Sequence, residues 1–371
     1  TIVVILLRGS DLMLGYSVFL PSYSVGENCY KEIPYVTRKF GTKAVVIGGK
    51  TAMSKAKPEL EAAIKDSDVE ILDYIWYGGD SSYENVEMLK NNPLVTGADM
   101  LFGVGGGRAC DTVKTLADMT GKPVFTFPTI ASNCSSCTSV SIMYKNNGIF
   151  LKPHFFANPP AHAFIDTEII ADSPKRYMWA GIGDTYAKHF ESSISSRDEE
   201  VPHYIALGVN IARMCYEPML KYGRKALEDI EKHLVTSDFE QVLLSIIVST
   251  AAASILLTND KIIDYNTGLA HAIFYALTTY PHIEKNHLHG EVVAFGVLVL
   301  LLVDNDEENF KKLYEFNKAV GLPVRLEDIE ISRDDIDKVA KITVAMKDIE
   351  HNPYEITSDM VKAALIKLEN I

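Results

Sequence analysis

The pattern of hydrophobic and polar positions divides the chain into two parts with different periodicities. Between residues 43 and 165, short apolar runs alternate with amphipathic stretches at helical spacing, whereas long helical periods dominate after residue 172. Strands that alternate with helices build a mostly parallel sheet with helices on both faces, and ligands gather at its carboxyl edge. The pattern therefore predicts an α/β domain over residues 1–172 and an all-helical domain over residues 173–371.

The apolar runs and helical periods locate the individual elements. In the first domain they predict strands over 1–7, 44–47, 69–76, 99–104, 123–127 and 163–165 and helices over 54–65, 84–90 and 109–119. In the second they predict helices over 177–193, 204–232, 239–257, 268–277, 292–302 and 307–319. Asn146-Asn147-Gly148 between the runs 140–144 and 149–151 predicts a hairpin. A cleft between two such domains is a usual place for a cofactor and a substrate.

Composition and charge narrow the class of protein. With 371 residues, 47% of them hydrophobic, the chain can bury a large core. Its net charge of -13 argues against a nucleic-acid or membrane partner, since both favour a basic surface. Five cysteines at irregular spacings do not resemble a disulfide framework, so we expect a cytoplasmic protein. Cys134 and Cys137 form one Cys-x-x-Cys, without the second pair that a structural zinc site needs.

A glycine-rich turn is the main candidate for anion binding. Glycines lie between a predicted strand and a predicted helix, at Gly103, Gly105, Gly106 and Gly107. Because glycine has no Cβ, backbone N–H groups and the positive end of a helix dipole can approach an anion closely. The turn therefore predicts a phosphate site, although similar turns are common in α/β proteins.

The helical half contains one aspartate and several histidines in apolar surroundings. Asp184 follows Gly183, and its local interpretation is a helix N-cap at a break between helices. His271 lies in an apolar helix, where a histidine is usually a core residue, while His287 and His289 precede the apolar run 292–302. One carboxylate and two imidazoles suit a divalent metal with a position open for substrate, but periodicity does not bring them together.

Four motifs in order resemble those of the iron-containing alcohol dehydrogenase superfamily, in particular its glycerol dehydrogenase-like branch. They are residues 103–114, residues 128–132 with 138–144, residues 181–184, and residues 270–273 with 289–291. The resemblance covers nearly the whole chain. It implies a Rossmann-like α/β domain followed by a helical domain, the architecture shared with dehydroquinate synthase. It also implies a homo-oligomer of two to eight chains.

The resemblance implies roles for individual residues. Asp184, His271 and His289 correspond to the metal ligands, and the metal of this branch is typically zinc. Lys188 stands where many iron-type relatives carry a histidine, which favours zinc over iron. The implied cofactor-binding residues of the glycine turn and of the nicotinamide side are Gly105, Gly106, Gly107, Arg108, Asp111, Thr129, Ser132, Thr138, Val140 and Tyr144. The implied reaction is hydride transfer between a nicotinamide and a small alcohol or carbonyl compound whose oxygen the metal polarises.

Gly49 and Lys50 bear on the choice of cofactor. Gly49 stands where NAD-preferring relatives carry an aspartate that binds the adenosine ribose. Without that carboxylate a 2′-phosphate is tolerated, and the adjacent Lys50 would pair with it. We therefore expect NADP to be preferred over NAD, with a glycine turn beside a solvated lysine as the alternative interpretation.

Three further residues are candidates for substrate contacts or proton transfer. Cys134 replaces the aspartate with which glycerol dehydrogenases contact substrate hydroxyls, and a thiol is a poor hydrogen-bond partner. This favours a 2-oxoacid or hydroxycarboxylate over a polyol such as glycerol. Tyr275 is a candidate proton relay or a packed aromatic, and His287 is a candidate substrate contact beside the ligand His289.

Other functions of the same architecture stay open at this point. A dehydroquinate synthase-like cyclase would have glutamate in place of Asp184 and many basic residues. A glycerol-1-phosphate dehydrogenase would need cations near Cys134, and the adjacent sequence has none. A non-catalytic nucleotide sensor would not need all three candidate ligands.

Overall fold

The computed structural model describes residues 3–5, 15–145, 148–258 and 265–371. They form two compact units, the first of Thr1–Pro174 with Asp229–Val235 and the second of Lys175–Glu228 with Thr236–Ile371. The return of Asp229–Val235 to the first unit was not predicted, because helical periodicity merges it with the preceding helix. His233 makes one contact that holds it there, donating from Nδ1 to the Ala171 carbonyl at 3.2 Å.

Every strand of the described residues lies in the first unit, together with part of the helices. Its strands are β1 (Val3–Ile5), β2 (Gly15–Ser17), β3 (Tyr23–Val25), β4 (Lys43–Gly48), β5 (Glu70–Trp76), β6 (Met100–Gly105), β7 (Val124–Pro128), β8 (Val140–Tyr144), β9 (Phe150–Phe155) and β10 (His162–Ile165). Its helices are α1 (Ile33–Thr37), α2 (Lys50–Ile64), α3 (Tyr83–Lys90), α4 (Pro93–Gly97), α5 (Gly107–Thr120) and α6 (Thr167–Ala171).

The main sheet is parallel throughout, which confirms the predicted α/β class. Among the described residues it has the order β3-β10-β7-β6-β4-β5. Alternate residues point to opposite faces, so Val46 and Phe102 enter one apolar cluster while Val45 and Leu101 enter another. Because both faces are covered, β6 and β7 are buried along their whole length.

The predicted hairpin is present as β8 and β9, which pair antiparallel with Val140 opposite Phe155. Its second strand is longer than the predicted run 149–151. Asn146 and Asn147, on which the turn prediction rested, lie outside the described residues. Of the predicted opening strand, Val3–Ile5 pairs with Gly15–Ser17, and its remaining residues also lie outside the described part.

The second unit is helical wherever the structure describes regular elements. Its helices are α7 (Lys175–Ser195), α8 (His203–Ala212), α9 (Glu217–Glu231), α10 (Ser237–Leu244), α11 (Thr250–Leu257), α12 (Leu269–Leu277), α13 (Pro281–Asn286), α14 (His289–Val303), α15 (Glu307–Val320), α16 (Ile336–Thr343) and α17 (Ser358–Glu369). The predicted helix 204–232 is divided into α8 and α9, because Pro218 has no N–H to continue the hydrogen-bond ladder. The helices α13, α16 and α17 were not predicted.

One helical run in the described part of the chain, Ser237–Leu257, is long and apolar enough to cross a membrane. It comprises α10, a π-helical turn and α11, with a mean hydropathy of 1.8. Since 67% of its most apolar window is buried inside the structure, its side chains have the surroundings of a core helix.

The buried ring of His162 in β10 should make the stability of the protein depend on pH. Its ring lies between the hydroxyls of Ser22 at 2.6 Å and Ser24 at 2.9 Å, and burial lowers its pKa to about 4. An unfolded histidine has a pKa of about 6.5, so below that pH the unfolded chain binds a proton that the folded chain excludes. Stability should therefore fall from about pH 6.5 towards pH 4, by about 2 kcal/mol at about pH 5.

Melting temperatures at neutral pH and at about pH 5 check this prediction. The His162→Gln variant should lose less melting temperature on acidification than the wild type, because it removes the titrating ring. Exposed His203 provides the control, and His203→Gln should behave as the wild type does. Equal acid sensitivity of His162→Gln and the wild type would contradict the account.

Candidate functional site

Three predicted ligand side chains meet inside the helical unit. Asp184 comes from α7, His271 from α12 and His289 from α14, and one donor atom of each lies within 4.8 Å of the others. Asp184 Oδ1 is 3.7 Å from His271 Nε2 and 3.2 Å from His289 Nε2. The His289 side chain is 42% exposed, so the group is accessible to solvent from its side.

Glycines allow α7 and α14 to approach each other at this group. A Cβ on Gly290 would lie 2.0 Å from the Ala180 carbonyl oxygen, and a Cβ on Gly183 would lie 2.3 Å from the Gly290 oxygen. The N-cap interpretation of Asp184 is wrong, since α7 runs unbroken through Gly183 and Asp184 lies in its middle. The glycines therefore serve close helix packing, which brings the carboxylate next to His289.

Glu191 is a functional candidate that sequence reasoning missed. Its fully buried carboxylate accepts from His271 Nδ1 at 2.7 Å, and from the backbone N–H groups of Gly268 and His271 at 2.8 and 2.9 Å. A signal was available, because Asp184, Lys188 and Glu191 follow each other at i, i+4 and i+7 and so form a polar stripe along a largely apolar helix.

The carboxylates and imidazoles of this group shift each other's pKa values towards the charged forms. Burial has the largest effect on the pKa of Asp184 and raises it, but His289 and His271 outweigh burial and hold that pKa below its usual value. The pKa of Glu191 is lowered in the same way by His271 and Lys188. Burial lowers the pKa of His271, whereas the carboxylates of Glu191 and Asp184 raise it. The effect of the carboxylates is larger, so the net shift of the His271 pKa is upward.

The donor set fits a divalent cation. One carboxylate oxygen and two imidazole nitrogens are ligands that zinc prefers, and three protein ligands leave a position open. His271 Nδ1 already bonds Glu191, which leaves Nε2 as the ring atom that faces Asp184. Lys188 is not part of this set, because its ammonium donates to the backbone and side-chain oxygens of Asn266, the latter at 2.7 Å.

His287 bonds a carboxylate outside the ligand group, and Tyr275 lies on the same helix as His271. His287 Nδ1 bonds Glu291 at 2.8 Å, so its ring is turned to its own helix end rather than to the ligand group. Tyr275 follows His271 by one turn of α12 and therefore shares its face. The ring of Phe274 packs edge-on against His289, with centroids 4.3 Å apart.

The glycine turn of the first unit has the geometry of an anion site. Gly105 ends β6 with φ +146°, and Gly107 begins α5, a helix of 14 residues. A Cβ on Gly106 would lie 2.6 Å from Ile130 Cδ1, and one on Gly107 would lie 2.7 Å from Asn133 Nδ2. Side chains are thus excluded where the helix presents its first N–H groups, as phosphate binding requires.

Arg108 has two partners in the structure. Its Nη1 donates to Asp80 at 2.9 Å, and its guanidinium lies 4.5 Å from the centroid of the Tyr144 ring. Tyr144 ends β8 and donates its backbone N–H to Ser81 at 2.7 Å. Arg108 and Tyr144 are therefore joined near the start of α5, and Asp80 is a neighbour that sequence reasoning did not include.

Asp111 stays a predicted cofactor contact, and in the structure its carboxylate binds neighbouring residues of the same unit. Both oxygens are engaged, since one accepts from Ser135 at 2.6 Å and the other from the Ile142 backbone at 3.1 Å. The buried ammonium of Lys114 lies 3.0 Å from it and donates to Val140 and Thr138. The side chain of Asp111 thus holds the 135–142 segment against α5.

The remaining nicotinamide-side candidates lie along that segment. Thr129 follows β7 and donates to the Gly105 carbonyl at 3.3 Å, while Ser132 is partly exposed. Cys134 begins the 3-10 turn Ser135–Cys137, and its carbonyl accepts from the Cys137 N–H at 3.0 Å. Burial raises the pKa of the Cys137 thiol to about 12, which makes Cys137 unsuited to thiolate chemistry.

Gly49 and Lys50 lie at the end of β4, where α2 begins. A Cβ on Gly49 would make only ordinary contacts, 3.8 Å from both Ala52 and Tyr77, and its φ of -74° suits any residue. Neither space nor backbone conformation therefore requires a glycine at this position. The Lys50 ammonium lies over the Trp76 ring at 5.0 Å.

Known proteins resemble this chain along most of its length. Residues 21–167 match the model of the iron-containing alcohol dehydrogenase family. A glycerol dehydrogenase from Escherichia coli O6:H1 is 30% identical over 93% of this chain and 94% of its own, and hydroxycarboxylate dehydrogenase A from Escherichia coli K12 is 31% identical over 89% and 90%. The structure of a probable glycerol dehydrogenase from Sinorhizobium meliloti superposes with a TM-score of 0.80, at 25% identity, over 95% of this chain and 98% of that one. The chain belongs to the iron-containing alcohol dehydrogenase family, in its glycerol dehydrogenase-like branch, and is a metal-dependent, NAD-linked oxidoreductase of small alcohols.

Proposed function

We propose that this protein is a zinc-dependent, NADP-preferring dehydrogenase of small hydroxycarboxylates, or equally a reductase of the corresponding 2-oxoacids. Metal-dependent chemistry is supported by one observation above all. The donor atoms of Asp184, His271 and His289 lie within 4.8 Å of one another. A set of three nitrogen and oxygen donors with an accessible side is typical of a catalytic site rather than a structural one.

The residues of the chain have separate roles in this proposal. Asp184, His271 and His289 hold the cation, and the glycine turn before α5 holds the pyrophosphate of the nucleotide. When bound, the cation supplies Lewis acidity towards a substrate oxygen, and the nicotinamide supplies or accepts the hydride. Asp111 and Lys114 keep the 135–142 segment in place, and Tyr275, one turn from His271, remains the candidate proton relay.

Zinc is proposed rather than iron because of what surrounds the ligands. Lys188, one turn after Asp184, bonds Asn266 and offers no fourth protein ligand. The remaining set of one carboxylate and two imidazoles suits zinc with an open position. The resulting expectation is that purified protein contains zinc and that zinc supports more activity than ferrous iron.

Cys134 supports the choice of substrate. Overall identity does not separate the two named activities, since the glycerol dehydrogenase and the hydroxycarboxylate dehydrogenase are 30% and 31% identical to this chain. A thiol at this position is a weak donor and a poor acceptor for polyol hydroxyls. A screen of 2-oxoacids, aldehydes and polyols with both cofactors tests the proposal. Faster turnover of glycerol than of every 2-oxoacid and 2-hydroxyacid would contradict it.

Gly49 supports the choice of cofactor and yields a prediction. Because an aspartate fits at this N-cap without strain, Gly49→Asp should fold normally and place a carboxylate where a ribose 2′-phosphate is expected. The ratio of kcat/KM for NADPH to that for NADH should fall by about tenfold or more, because the new carboxylate repels the 2′-phosphate of NADPH. Gly49→Asn is the uncharged control and should change the ratio much less. An unchanged ratio in Gly49→Asp would contradict the cofactor assignment.

The proposal also includes a cytoplasmic location and a homo-oligomeric assembly. None of the five cysteines is in a disulfide, and four of them are buried, which suits a reducing compartment such as the cytoplasm. The glycerol dehydrogenase-like resemblance favours a homo-oligomer of two to eight chains, which light scattering of the purified protein would measure.

A further inference from the structure

The buried carboxylate of Glu191 contacts both the backbone and the ring of one proposed metal ligand. The helix α12 begins after Gly268, which has no side chain to cap the first N–H groups. Glu191 Oε1 accepts from the N–H groups of Gly268 and His271 and so caps α12 from another helix. The second oxygen, Oε2, accepts from Nδ1 of the His271 ring at 2.7 Å.

This division between the two oxygens determines which ring nitrogen carries a hydrogen. A carboxylate only accepts hydrogen bonds, so the His271 atom that faces Oε2 is Nδ1–H. The other nitrogen, Nε2, faces Asp184 Oδ1 at 3.7 Å and is the one available to a cation. Metal-binding histidines commonly donate their second ring N–H to a carboxylate, which fixes both the tautomer and the ring orientation.

We propose that Glu191 is a positioning residue that sets the tautomer and the orientation of His271 for the metal. The inference rests on the proposed metal site but concerns a residue that does not itself bind the cation. It predicts that the effect of Glu191 on metal affinity is separate from its effect on helix capping.

Glutamine at position 191 separates the two effects. In Glu191→Gln the amide oxygen can still cap α12, but the amide NH₂ now faces His271 Nδ1 and donates to it. The ring hydrogen then moves to Nε2, which is the atom that the cation needs. The apo protein should keep its melting temperature within a few degrees, while zinc affinity falls by about 10- to 100-fold. Glu191→Ala should lose both melting temperature and zinc affinity.

A capping control comes from the same unit. Thr236 caps α10 by accepting from the Phe239 N–H at 3.2 Å. Thr236→Ala should lower the melting temperature, since it removes an N-cap, but should leave zinc affinity unchanged. Zinc affinity is measured on the full-length apo protein by competition with a chromophoric chelator, which does not depend on enzyme turnover.

The outcomes distinguish this inference from the proposed function. Zinc affinity of Glu191→Gln within about threefold of the wild type would overturn the inference while leaving the metal site intact. Failure of the wild type to bind zinc would overturn the metal site and this inference together. If Glu191→Gln does not fold, Glu191→Asp serves instead, because its shorter side chain cannot reach the ring and both N–H groups. An unchanged zinc affinity in Glu191→Asp would overturn the inference equally.

Discussion

Asp184→Asn is expected to lower kcat/KM by about 10³-fold or more, with loss of tightly bound metal. The substitution keeps the shape of the side chain but removes the charged ligand that lies 3.2 Å from His289 and 3.7 Å from His271. A Lewis acid supplies several kcal/mol of transition-state stabilisation, and each 1.36 kcal/mol corresponds to a tenfold change in rate. Steady-state kinetics and metal analysis of the same preparation measure both effects.

Asp337 provides the matched control for this experiment. It is an exposed carboxylate of the same unit, paired with Lys362 and absent from the ligand group. Asp337→Asn should keep wild-type metal content and turnover, since exposed ion pairs contribute little. Wild-type metal content and turnover in Asp184→Asn would show that the site has been assigned to the wrong residues.

Gly290→Ala is expected to disrupt the same site through the backbone. The added Cβ would lie 2.0 Å from the Ala180 carbonyl oxygen and 2.9 Å from Asp184 Cβ, so α14 must move away from α7. Overpacking of this kind costs about 1–3 kcal/mol, and displacement of a ligand by 1 Å reduces catalysis by about 10²-fold. We expect a lower melting temperature together with weaker zinc binding and slower turnover.

A glycine in open surroundings shows whether the effect is specific to the helix contact. Gly97, at the end of α4, has no neighbour within 4 Å of the position that a Cβ would take. Gly97→Ala should therefore leave stability, zinc affinity and turnover close to those of the wild type. If Gly290→Ala kept full zinc affinity, close packing of α7 and α14 would not be what positions the ligands.

Local sequence patterns predicted most of the first unit, because each element there has a distinct period. The run that became β6 consists of apolar residues and glycine, and the run that became β7 is apolar except for Thr126 and ends at proline. Both were therefore recognisable as strands, with ends shifted by one residue. One helical period covers 204–232, so the break between α8 and α9 was not predicted. The place of Asp229–Val235 in the first unit was not predicted either, because it depends on tertiary contacts.

Local sequence patterns predicted less of the candidate site than of the fold. Asp184 directly after Gly183 favours an N-cap locally, and only the packing of α7 against α14 shows why the small residues are there. The ligand set came from family resemblance, since residues on three helices share no local pattern. Glu191 was missed although it lies on the same stripe as Asp184, because a buried glutamate becomes informative only once its partner His271 is known.

Under the proposed function, Asp184, His271 and His289 hold a metal that nicotinamide-linked oxidation and reduction require. The most direct measurement is NADPH turnover with a 2-oxoacid by protein stripped of metal and then titrated with zinc. We expect almost no turnover in the stripped wild type, recovery that saturates at one zinc per chain, and no recovery in Asp184→Asn. Full turnover by the stripped wild type, or equal recovery in Asp184→Asn, would contradict the proposed function.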